Sequence, residues 1–224
     1  MTNPLKNKNL VYWVARAAWA VSALVIAGCG KPGTPTPELT EPLPTAGLAG
    51  QQVIVLPLTM VGAEDSLHWD VVSDRRAVLD RADSVIVALL KARAPEVNWV
   101  PPAEVRRAAR RAIGIATDPD QMGTAVLRAD RLVQVPDPLQ SELRTLAAIA
   151  GSGGRYALVP AALVYRVRDP RVDSGAGKAT AELSMVLVDV RVGRVGWRTV
   201  ARGTGDDEWT GLTQALKRLT PGLP

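Results

Sequence analysis

One cysteine and one histidine stand among the 224 residues, so thiolate and imidazole chemistry have a single address each. Cys29 has no partner for an intrachain disulfide, and no thiolate metal cluster can be built around it. Its setting gives the thiol another task. Lys6 and Lys8 precede an apolar run from Val11 to Ala27, and Ile26-Ala27-Gly28 brings small residues up to Cys29. That is the layout of a cleavable export signal, cut between Gly28 and Cys29. The alternative is an uncleaved transmembrane anchor, but Arg16 sits inside the run, where a central charge costs about 2.5 to 3.5 kcal/mol. Ala17–Gly28 is then the uninterrupted part, twelve residues where a span needs about 20.

The other chemistry-bearing stretches fail on spacing. Gly175-Ala176-Gly177-Lys178-Ala179-Thr180 ends like a phosphate loop, but Val172 stands where the first glycine belongs and Ala179 where Ser or Thr belongs. It also leads into a strand, whereas phosphate binding needs the amides of a helix N-terminus, so it reads as a hairpin loop. Gly151-Ser152-Gly153-Gly154 follows a helix and reads as its stop. Asp118, Asp120 and Gly123 lack the further oxygen ligands of a calcium loop. His68 lies alone in a polar loop beside Trp69 and builds no zinc site. No pair of carboxylates is singled out for glycoside cleavage. The expectation is a protein with no catalytic residues, no metal and no cofactor.

The elements follow from periodicity. Gln51–Leu58 is a continuous apolar run, a strand buried on both faces. Val71, Val78, Ala82, Val85 and Leu89 form one stripe of a long helix that Pro95 stops, and Val97–Val100 is a short strand. Pro101-Pro102-Ala103-Glu104 opens a helix with Val105, Ala108, Ala109 and Ala112 inward. Asp118-Pro119 starts another, running through Met122 and Val126. Leu132–Val135 reads as a short strand, and Asp137-Pro138 caps a helix with Leu139, Leu143, Leu146 and Ala150 on one face. Tyr156–Val167, Thr180–Val190 and Arg194–Arg202 form an antiparallel meander, with Pro160 at an edge or bulge. Asp206, Asp207 and Glu208 open a last helix carrying Trp209, Leu212, Leu216 and Leu219. The predicted fold class is α/β (α+β), a mixed sheet with helices packed on it. The predicted organisation is a signal at 1–28, a Pro/Gly/Thr-rich linker at 29–50 and one domain at 51–220.

Charge narrows the partners. The formal net charge of +5 falls to +2 from Cys29 onward, because Lys6, Lys8 and Arg16 leave with the signal and no acid does. Overall charge therefore gives no reason to expect nucleic acid. Local charge is more informative: Arg106, Arg107, Arg110 and Arg111 crowd the outer side of the second helix, where like charges one turn apart repel. A solvated face is one reading, an acidic partner or lipid headgroups the other.

The Ile26-Ala27-Gly28-Cys29 junction resembles the lipobox of bacterial lipoproteins. The resemblance implies that Cys29 is triply acylated, with palmitate among its chains, and heads the mature chain. Gly30 after that cysteine implies the outer membrane, with the domain in the periplasm. The order of elements, with Val53-Ile54-Val55-Leu56-Pro57, Arg155-Tyr156-Ala157-Leu158-Val159 and the hairpin from Leu187 to Trp197, resembles a family of envelope domains. The family includes lipoprotein activators of penicillin-binding proteins, the curli-secretion lipoprotein and the amino-terminal domain of TolB. It implies a non-enzymatic adaptor or activator that binds an envelope protein. From their placement, Arg198 and Arg202, alternate on one face of the last strand, and Arg106 and Arg110 on the second helix are the candidate contacts. The Arg168–Lys178 loop is too polar on both alternations to cross a membrane as a barrel hairpin. A ligand-binding or hydrolytic domain and a self-assembling secretion component, a homo-oligomer, are the alternatives.

Overall fold

The computed structural model describes residues 41–69, 74–150, 153–171, 173 and 175–220. The signal, Gly28 and Cys29 lie outside the described residues, as do Val71, Gly151, Ser152 and Val172.

The apolar run becomes β1, Gln52–Val55, flanked by parallel neighbours on both sides: β3, Asn98–Val100, and β4, Tyr156–Val167. Both faces of this parallel part of the sheet are covered, Val53 and Val55 packing into one core and Ile54 and Leu56 into the other, which is why the run does not alternate. β2, Val61–Ala63, pairs with the far half of β4, in line with β1. Pro160 stands opposite the gap between β1 and β2, and the register shifts between Pro160 and Ala162. A residue with no N–H is tolerated there because the neighbouring strand is interrupted. β5, Ala179–Asp189, and β6, Arg194–Gly205, complete the antiparallel meander, giving the order β3-β1-β4-β5-β6. The α/β expectation holds, with an open mixed sheet and the meander on its C-terminal side.

Helices cover both faces. α2, Arg75–Arg93, and α5, Glu208–Leu219, pack one of them, where Val53, Val55, Leu158, Leu163, Leu183 and Leu187 face Ile86, Leu90, Leu212 and Leu216. α3, Pro102–Arg111, and α4, Leu139–Ala150, pack the other over Ile54, Leu56, Ala157, Val159, Val186 and Val188. Asp207 caps α5 by accepting from the N–H groups of Trp209 and Thr210. Gly203 lets α5 lie directly on β6: a Cβ at that position would strike the backbone of Gly211 and Ala215. All described residues belong to one compact unit.

Four expectations need correction. Leu43 and Leu48, expected in the linker, are buried in the α2/α5 core; Leu48 closes a short helix α1, Thr45–Leu48, and the Leu43 N–H donates to Leu219 O at 2.8 Å. The buried stripe of α2 is Leu79, Ala82, Asp83, Ile86 and Leu90, while Val78, Val85 and Leu89 are half-buried beside it. Of the expected stripe's described residues Ala82 alone is buried, and the acid beside it interrupts the apolar pattern. The helix expected from Pro119 through Val126 is two 3-10 turns, Pro119–Gln121 and Thr124–Arg128, separated at Met122 and Gly123. The strand expected at Leu132–Val135 is an isolated bridge from Gln134 to Arg194.

Candidate functional site

Three arginine-bearing regions divide the expected contact residues between them. The first lies where the chain leaves β1. Asp83 of α2 is 4% exposed, and its Oδ1 accepts the Leu58 N–H at 2.8 Å. Arg106 reaches over from α3, its side chain 12% exposed, and its Nη2 donates to Asp83 Oδ2 at 2.7 Å. The same guanidinium forks onto Asp120, Nε at 3.0 Å from both oxygens and Nη2 at 2.8 Å from Oδ1. Arg76 adds contacts to Asp120 at 3.2 Å and Asp80 at 3.0 Å. Arg106 therefore faces inward, against the expectation that it meets a partner: a buried carboxylate one helix away captures it.

The electrostatics follow from burial. Desolvation pushes Asp83 up to about 6, against the pull of the Leu58 amide and of Arg106. Asp120 is also disfavoured by burial, but Arg106 and then Arg76 hold it below the ordinary range. A perturbed carboxylate can mark a catalytic acid, yet both Asp83 oxygens are already bonded within the chain. The network ties the segment after β1, α2, α3 and the 3-10 turn Pro119–Gln121 together. It is a clamp, and sequence spacing could reveal it only through the acid standing inside the Leu79–Leu90 stripe.

The second region is the far half of the meander. The α3/α4 cluster includes Val186 of β5, whereas the opposite face stays apolar through Met185, Leu183 and Ala181. β4, β5 and β6 run 11 to 12 residues each, against 4 for β1, so their ends carry helix α5 on one side only. On the other side Glu182 is held between Arg166 at 2.9 Å and Arg202 at 3.1 Å. Burial raises the Glu182 carboxyl, but the two guanidinium groups outweigh it and keep it below its usual value. Arg198, on the same face of β6, donates to the carbonyls of Asp130 at 2.6 Å and Leu132 at 2.9 Å. Arg202 thus stays partly exposed in an ion-pair row, and Arg198 is spent on holding a loop.

The third region is the outer side of α3. Arg107, Arg110 and Arg111 are exposed, and no hydrogen bond or ion pair engages them among the described residues. The loop beyond the helix exposes Ile113 by 87% and Ile115 by 75%, with Gly114 at φ +80 between them. A recess of about 270 Å³ lies beside it, bordered by Arg110, Ile113 and Asp118.

The remaining sequence candidates fall into place as loops. Gly175 and Gly177 have positive φ in the β4–β5 hairpin connection, and Lys178 N donates to Gly205 O at 3.1 Å. His68 is exposed with φ 52, ending a single 3-10 turn. Among the described residues, no three His, Cys, Asp or Glu side chains are grouped to hold a metal ion, and no helix is long and apolar enough to cross a membrane.

No protein-family model matches the chain, and no curated protein matches it. Similar solved structures include the LpoB C-terminal domain from Escherichia coli, 13% identical, covering 70% of this chain and 84% of that one at a TM-score of 0.39. A PelC dodecamer from Paraburkholderia phytofirmans is 14% identical over 82% of this chain and 94% of that one, TM-score 0.35. A lipoprotein from Neisseria meningitidis is 15% identical over 71% and 86%, TM-score 0.28. Likeness at this level transfers no residue role and no function to this chain.

Proposed function

We propose that this chain is a lipid-tethered, non-enzymatic adaptor that docks on a protein of the bacterial cell envelope. The observation that carries the reading is the sole cysteine placed at the end of an export signal. Acylated there, Cys29 would hold the domain at the outer membrane, with more than one acyl chain giving stable attachment. The tether is shorter than 29–50, because the fold begins by Leu43. If polyproline-like, the twelve residues from Cys29 to Thr40 would give roughly 37 Å of reach at ~3.1 Å per residue.

For docking, the proposal takes the open end of the meander. Arg166, Glu182 and Arg202 form a partly exposed row on rigid strands, with Glu64 close to Arg166, an alternation of charge that suits a partner surface of complementary pattern. Of the four expected contacts, Arg202 remains in this row, Arg106 and Arg198 serve the fold, and Arg110 belongs to the separate region on α3. The ordered network around Asp83 supports a structural rather than a catalytic use of buried charge.

The test is crosslinking of the intact lipoprotein in its native membrane, read by mass spectrometry beside Cys29→Ser and Arg166→Glu variants. The expected result is one envelope protein captured through the domain, lost with Arg166→Glu, and acyl label carried by the native chain and lost in Cys29→Ser. A Cys29→Ser chain that still takes up acyl label sinks the tether. Capture that is indifferent to Arg166→Glu sinks the docking face.

A further inference from the structure

The fold settles the charges of α3 unequally. Val105 and Ala109 face the core, and Arg106 is drawn into the clamp on Asp83 and Asp120. Arg107, Arg110 and Arg111 lie within about 100° of one another around the helix, at 3.6 residues per turn. From Arg107 to Ile115 the chain holds three arginines and no acid. Like charges one turn apart destabilise a helix, so an opposite charge must come from outside the segment to relieve them.

Ile113 and Ile115 follow directly, 87% and 75% exposed. They are not leftovers of a core: Ala112 and Ala116 on either side are half-buried, and the left-handed Gly114 turns the chain so that both isoleucines project outward. Side chains this bare stand out from the surface beside Arg110, with a recess bordered by Asp118 at the base of Ile113. A stable protein interface buries about 800 Å² on each partner, far more than two isoleucines supply. An anionic bilayer surface suits a small protruding tip, with phosphates for the arginines and the headgroup boundary for the apolar side chains.

We infer that the last turn of α3 and the loop at 112–116 form a membrane-contact tip for anionic phospholipid. Arg107, Arg110 and Arg111 take lipid phosphates, and Ile113 and Ile115 seat below them. This rests on the tethered reading only in that the tether keeps the tip within reach of a bilayer. The contact adds a second, protein-borne signal to the lipid and orients the domain, leaving the meander row on a different part of the surface to meet its partner.

The test uses the full chain with Cys29→Ser, so that one introduced cysteine carries an environment-sensitive dye at Ile115→Cys or, as comparator, at Val167→Cys. Vesicles of phosphatidylglycerol with phosphatidylethanolamine are compared with neutral phosphatidylcholine vesicles, and the dye at position 167 sets the baseline for attachment through the N-terminal stretch, whose Lys6, Lys8 and Arg16 also favour anionic lipid. The expected result is a blue shift at position 115 on the anionic vesicles only, absent at position 167. Each arginine-to-alanine change weakens the anionic response about fivefold, and all three together about a hundredfold. No shift at 115, an equal shift at 167, or a response unchanged by Arg107→Glu, Arg110→Glu and Arg111→Glu overturns the inference. A photo-crosslinker at position 115 in the native envelope gives an independent check: lipid adducts are expected, and an acidic protein captured instead overturns it. Because Cys29 is absent from the vesicle assay, its failure is separate from failure of the tether.

Discussion

Arg106→Met should destabilise the protein in a pH-dependent way, because what it removes is the charge that compensates a buried acid. With a folded pKa of about 6 against about 3.8 unfolded, Asp83 costs the native protein about 3 kcal/mol once it is ionised. The sign is that of a raised carboxylate: its contribution is fully present below the unfolded pKa and is lost as pH rises through about 6. Asp120 and Glu182 have the opposite sign, since their folded values are depressed; their contribution is lost as pH falls through those values. Native stability should therefore peak near pH 4 to 5. Without Arg106, Asp83 moves further up and Asp120 loses its forked partner. At pH 8, breaking the buried pair should cost about 3 to 5 kcal/mol, a large part of the total of about 5 to 15. At pH 5, where Asp83 is mostly protonated in either protein, the cost should shrink to about 1 kcal/mol, from the partly exposed Asp120 pair. Urea unfolding followed by tryptophan fluorescence at both pH values measures this directly. Equal losses at the two pH values, or a loss below about 1 kcal/mol at pH 8, would refute the clamp. Asp83→Asn should flatten the native profile between pH 4 and 7.

Two further changes test the packing. Gly203→Ala should lower stability by about 1 to 3 kcal/mol or more, since its Cβ meets α5 backbone rather than a movable side chain; a calorimetric Tm that does not move would show that α5 can shift. Leu48→Ala should cost about 2 to 5 kcal/mol by cavity formation, measured by denaturant unfolding, whereas a residue in a solvated linker would cost nothing.

What the sequence made legible tracks how local each signal is. The meander followed from Val- and Leu-rich runs separated by glycine turns, and β4 has the expected bounds Tyr156–Val167. The extension of β6 to Gly205 was hidden because Gly203 and Gly205 are poor strand formers, and their use is to admit α5. Leu43 and Leu48 were hidden by Pro42 and Pro44, which mark an extended chain but not whether a hydrophobic surface lies beside it.

The arginines carry the deeper lesson, because a sequence counts charges without assigning their partners. Arg106 and Arg110 are four residues apart and nominally equivalent on α3. One is fixed between Asp83 and Asp120 and the other is exposed. The signal that separates them lies 23 residues upstream of Arg106, in an aspartate placed among Leu79, Ala82, Ile86 and Leu90 where a helix face should be apolar. A buried acid requires a cation or a proton, so Asp83 selects which arginine the fold consumes. The arginines left over, together with the isoleucines that no core absorbs, are the residues free to act outside the molecule.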